Sequence, residues 1–109
     1  MVEPIEDLLN APTTGAEAPT LARLEDALTE GYAQALALEA ERLRLERRIS
    51  EVARRVDGGD VSASAEELTS LGRRLTSADG ELETLRALLA ALQQRAHETR
   101  RVVQATGQL

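Results

Sequence analysis

Two apolar ladders stepping by three and four residues dominate this chain and leave it few folds to choose from. The first is Leu21, Leu24, Leu28, Ala35, Leu38, Leu45, Ile49, Val52 and Val56. The second is Leu68, Leu71, Leu75, Ala78, Leu82, Leu85, Leu89, Leu92, Ala96 and Val103. An apolar residue every 3.5 positions over several heptads keeps one seam turned toward a neighbouring helix, which specifies a coiled coil. Asp57-Gly58-Gly59-Asp60 separates the ladders. A glycine break between two such arms predicts that the chain folds back on itself. The expected fold is all-α: an antiparallel two-helix coiled-coil hairpin that assembles into a helical bundle by dimerisation or with a partner.

The residue types agree with a narrow seam. Among 109 residues Tyr32 is the one aromatic, and the apolar content is mostly Leu, Ala and Val. A thick globular core usually draws on several aromatics, because each buries a large area. The length allows one domain. Without Cys, disulfides and thiolate metal sites are excluded. No run approaches 18 apolar residues, so no membrane span is expected. The acidic start Met1-Val2-Glu3 lacks a cationic signal-peptide region. A cytoplasmic location is the expectation.

Residues 1–19 hold Pro4, Pro12 and Pro19 together with Glu3, Glu6, Asp7 and Glu17 and no basic residue. They read as an acidic, flexible tail. Within it, Pro4-Ile5-Glu6-Asp7-Leu8-Leu9 has the pattern of one amphipathic turn, with Pro near a helix start. The hairpin is expected over residues 20–105. Helix 1 runs from about 20 to 57, the turn over 58–63, and helix 2 from about 64 to 105. Ser64-Ala65-Glu66-Glu67 has capping-box spacing. Gly80 is a candidate break in helix 2, but the apolar phase continues across it, which favours one helix. Residues 106–109 are expected to fray.

Folding the arms so that paired numbers sum to about 120 sets Gly31 opposite Leu89 and Ala35 opposite Leu85. It also sets Arg42 opposite Ala78, Leu45 opposite Leu75, and Ile49 opposite Leu71. Small residues then face large ones, as close packing requires. Arg42, the charge in the first ladder, gains room to extend along Ala78.

Little in the sequence points to catalysis or to a cofactor. His97 is the single histidine, and its place on the polar side of helix 2 suits a solvated residue. The Gly-Gly loop lacks the ligands of a phosphate or calcium loop. No Glu-x-x-His supports a di-iron site. The carboxylates lie beside arginines, as on solvated helix faces. The net charge of −6 disfavours a nucleic-acid partner. However, the turn-proximal half is locally basic. Arg47, Arg48, Arg73 and Arg74 are the candidate anion-binding residues, with an anionic nucleotide as the alternative ligand.

A second apolar stripe runs along helix 1 outside the seam: Tyr32, Leu36, Ala40 and Leu43. Leu88, Ala91 and Val102 extend the apolar surface of helix 2. One hairpin cannot bury both, and exposed apolar stripes mark interfaces. Tyr32, Leu36, Leu43, Leu88 and Val102 are therefore the candidate protein-interface residues.

Glu66, Ser70 and Arg73 stand four and three residues apart. This resembles the opening of the motif by which actinobacterial anti-sigma factors hold cyclic-di-GMP on an antiparallel coiled coil. That motif continues with Gln and Asp, where this chain has Ser77 and Glu81, and helix 1 carries no second copy. The Gly58-Gly59-Asp60 turn is similar to that of small type III secretion needle chaperones. The secreted hairpins built on a Trp-x-Gly turn are similar in size, but this chain has no Trp. These resemblances imply a nucleotide-responsive regulator or a secretion chaperone as alternatives. The residues themselves favour a non-enzymatic adaptor or regulator that dimerises or docks on partner helices.

Overall fold

A computed structural model describes residues 2–55 and 61–106. They form three α-helices: α1 (Val2–Asn10), α2 (Leu21–Arg55) and α3 (Val61–Ala105). No strand occurs among the described residues, and α2 packs closely on α3. The chain is an all-α helical hairpin, with α1 as an addition that the ladders do not foretell. Two compact units divide it. One comprises Met1–Ala35 with Thr84–Leu109, the other Leu36–Glu83.

In the second unit the ladder residues make the core. Leu45, Val52, Leu71 and Ala78 are buried, with Ile49, Leu68 and Leu75 packed against them. Burying each Leu or Val contributes about 1.5–3 kcal/mol. Arg42 reaches Asp79 at 3.1 Å and Glu46 at 3.2 Å, so the one charge in the ladder is neutralised at the seam's edge. Glu41 meets Arg74 and Arg48 meets Glu67. As numbers rise on α2 they fall on α3, so the arms are antiparallel. With ladder residues at heptad positions a and d, Glu41, Arg48, Glu67 and Arg74 all fall at g. Like positions meet across an antiparallel seam, so these charges line one flank.

In the first unit Leu24, Ala35, Leu85, Leu89, Leu92 and Ala96 are buried. Glu25 pairs with Arg100 at 3.4 Å, and the Tyr32 hydroxyl donates to Gln93 Oε1 at 2.7 Å. These four residues occupy e positions, on the other flank. Gly31 lets three helices converge. A Cβ built there would run into Leu89 Cδ2 and would stand 3.4 Å from Ile5 Cδ1. The expected facing of Gly31 and Leu89 is present.

α1 departs from the flexible tail expected over residues 1–19, and it covers the segment 4–9 that reads as one amphipathic turn. A nine-residue helix is marginal alone. Here Ile5 is fully buried and Leu8 nearly so, and tertiary packing supplies what local propensity lacks. The last carbonyls of a helix have no partner within it. Arg95 supplies one from α3. Its Nη1 donates to the Leu9 carbonyl at 3.0 Å, and its Nη2 to those of Ala11 and Pro12 at 2.8 and 2.7 Å. The connection to α2 turns at Gly15, whose φ of 91° suits a residue without a side chain. Thr20 then caps α2, its Oγ1 accepting from the Arg23 amide at 3.2 Å.

Two boundaries also move. α3 begins at Val61, not near residue 64. Ser64 therefore lies inside the helix, and its proposed capping partner Glu67 is held by Arg48 and Arg55 instead. The expected turn at 58–63 falls partly on residues 58–60, outside the described residues, while 61–63 are helical. α3 runs unbroken through Gly80. At its end the Thr106 amide donates to the Val102 carbonyl; residues 107–109 are outside the described set.

Candidate protein interface

The outer face of α2 carries the apolar residues that the seam does not use. Leu36 is 66% exposed and Leu43 is 53% exposed. They stand one heptad apart, with exposed Ala40 between them. Both occupy position b, opposite the buried a and d positions, so repacking the seam cannot hide them. Leu43 rims a shallow depression shared with Glu46, Arg47, Ser50, Glu51 and Arg54.

Tyr32 precedes Leu36 by one turn on the same helix. Its ring is half exposed while its hydroxyl is held by Gln93. On α3 the candidates divide: Val102 is exposed, but Leu88 is half-buried. Val102 shares a depression with Glu98, Arg101 and Ala105.

The arginine set divides too. Arg48 Nε and Nη2 both donate to Glu67 Oε1, at 2.9 and 2.6 Å. The hydrogen bond to Glu67 is the main cause that raises its pKa. Arg74 reaches Glu41 at 3.2 Å. Glu41 also accepts from Arg44 at 2.9 Å. That bond is the first cause holding the Glu41 carboxyl below its ordinary pKa, with the charges of Arg44 and Arg74 adding to it. Two of the four proposed anion-binding arginines are thus committed to carboxylates of the hairpin itself. Arg47 and Arg73 are exposed and make no ion pair with a described residue, but they line different depressions. Arg73 shares its depression with Ala65, Glu66, Thr69 and Ser70. His97 is exposed, and no cluster of metal-ligating side chains occurs among the described residues. No described helix is long and apolar enough to cross a membrane.

No family model matches this chain, and no curated protein or solved structure matches it significantly.

Sequence reasoning missed the part played by Arg95. Nothing local distinguishes it from the other arginines, because its partners are carbonyls more than eighty residues away. The division between Arg47 and Arg48 was available. Position g faces the seam's flank and position f faces outward, so heptad assignment alone separates these neighbours.

Proposed function

We propose that this chain is a non-enzymatic protein–protein interaction module, an adaptor or regulator that works through a helix face. The observation that carries this reading is the exposure of Leu36 and Leu43 one heptad apart, on a hairpin whose own seam is already filled. Apolar residues recurring at that interval on one helix are what a second helix needs for side-by-side packing. Leaving two large aliphatic side chains in water forfeits burial free energy that docking would recover.

A nucleotide-responsive role draws less support. Arg48 and Arg74 already hold Glu67 and Glu41, so an anion would have to displace existing ion pairs. The secretion-chaperone alternative rests on the Gly58-Gly59-Asp60 turn, which lies outside the described residues.

Sedimentation of the wild type and Leu36→Glu over a concentration series, and with any helical partner bound by the wild type, tests the reading. The variant should keep its helical circular dichroism, because position 36 is outside the seam. Its association should weaken, because burying an unpaired carboxylate is costly. Unchanged association would remove the Leu36 face as the interface.

A further inference from the structure

Within the interaction-module reading, on which this step rests, the outer face of α2 carries a pattern that specifies its occupant. Along α2 the exposed residues Glu25, Thr29, Tyr32 and Leu36 are followed by Leu43, Arg47, Ser50 and Arg54. On a helix of 3.6 residues per turn all eight lie within about 40° of one line. Their steps are four, three, four, seven, four, three, four, the same from either end. The chemistry is complementary about the centre rather than repeated: an acid faces a base, a hydroxyl a hydroxyl, an aromatic ring a guanidinium, and Leu faces Leu.

We propose that the occupant is a second copy of this chain, packed antiparallel through α2 about a two-fold axis that passes between residues 39 and 40. A two-fold interface must be self-complementary, residue i meeting j while j meets i. In this register Leu36 of each copy meets Leu43 of the other, and the small side chain of Ala40 lies beside the axis. Arg47 comes over the exposed ring of Tyr32, a cation–π arrangement. Tyr32 is pre-oriented for it by its hydrogen bond to Gln93. Ser50 meets Thr29, whose hydroxyl donates to the Glu25 carbonyl and keeps its lone pairs for a new donor. Arg54 meets Glu25, whose Oε1 lies 3.4 Å from Arg100 and whose carboxylate has capacity to accept from a second guanidinium. Neither Arg47 nor Arg54 makes an ion pair with a described residue in the monomer.

The competing registers are poorer. A parallel, in-register pair sets Arg47 beside Arg47 and Glu25 beside Glu25. Shifting the antiparallel pair by one heptad leaves a Leu from each copy opposite Ser50 or Thr29. Charge therefore disfavours the parallel pair, and apolar match disfavours the shifted antiparallel pair.

The chain has no Cys, so single-cysteine variants of the full-length protein report the register cleanly. Under mild oxidation Ala40→Cys should give a disulfide-linked dimer. Ser50→Cys should not, because two copies of position 50 are about 30 Å apart along the axis in this arrangement. Arg54→Glu should raise the dimer dissociation constant several-fold at low salt, and adding Glu25→Arg together with Arg100→Glu, which keeps the Glu25–Arg100 pair in reversed form, should restore it. Cross-linking of Ser50→Cys as readily as Ala40→Cys would overturn the register, as would failure of the charge-swapped pair to recover. A wild type that stays monomeric at every concentration, with no cross-link at position 40, would overturn the second-copy assignment. The broader reading would still be judged separately, by Leu36→Glu against a foreign helical partner.

Discussion

Replacing three glycines by alanine, one at a time, should give results of different sign, and the packing around each says why. Gly72 and Gly80 lie in the interior of α3, and a Cβ at either would meet nothing within 4 Å. Alanine is favoured over glycine in a helix interior by about 1 kcal/mol. Gly72→Ala and Gly80→Ala should therefore each stabilise by about 0.5–1 kcal/mol, or roughly 2–6 °C in melting temperature. Gly31 is also helical and gains the same propensity term. There, however, the new methyl runs into Leu89 Cδ2. Leu89 is only 2% exposed, so its side chain has no solvent to swing into, and Ile5 closes the site from α1. Overpacking of this kind costs about 1–3 kcal/mol. The net effect at Gly31 should be a loss of up to about 2 kcal/mol, set by the difference of the two terms. Urea denaturation followed by far-UV circular dichroism measures all three on one scale. If Gly31→Ala gains stability in step with the other two, the close approach at Gly31 is not real.

Other outcomes follow from the same packing. Leu45→Ala removes a 3%-exposed side chain and should cost about 2–4 kcal/mol, while exposed Arg73→Ala should cost under about 0.5 kcal/mol; equal losses in urea melts would mean the seam's phase is wrong. Arg95→Met keeps the aliphatic stem but removes three hydrogen bonds to carbonyls after Leu8, so amide exchange in residues 2–10 should accelerate while the centre of α3 stays protected. Glu41 has a folded-state pKa below its unfolded value. Its contribution is therefore present above the unfolded pKa and is lost as pH falls through the folded one. Glu41→Gln should flatten the acid limb of the stability profile and leave the neutral-to-alkaline limb unchanged in shape.

The seam was legible because periodicity is a local property with a global meaning. Every described residue of the two ladders is buried or half-buried. Matching small against large across the seam also anticipated Gly31 facing Leu89. α1 was legible only as the amphipathic turn over residues 4–9 inside an expected tail, for the converse reason. Its order comes from where Ile5, Leu8 and the following carbonyls land, not from its own propensity. Ser64 misled because a capping box is a four-residue pattern that ordinary helix interiors also contain. The apolar stripe at Leu36 and Leu43 was visible as a departure from the seam's phase. Leu88 has the same character in sequence, yet it is half-buried, while Val102 at the same heptad position is exposed, so heptad position alone does not separate the two.

The antiparallel hairpin is the claim on which the rest depends, and paramagnetic relaxation enhancement tests it most directly. A single nitroxide on Arg48→Cys, in a chain otherwise free of Cys, sits at the seam's flank. If Arg48 faces Glu67, the label should broaden backbone amides of α3 around Glu67. A second label on Glu41→Cys should move the broadened zone toward Arg74, further along α3, as the label steps back along α2. A broadened zone that moves toward the start of α3, or that does not move, would contradict the antiparallel pairing.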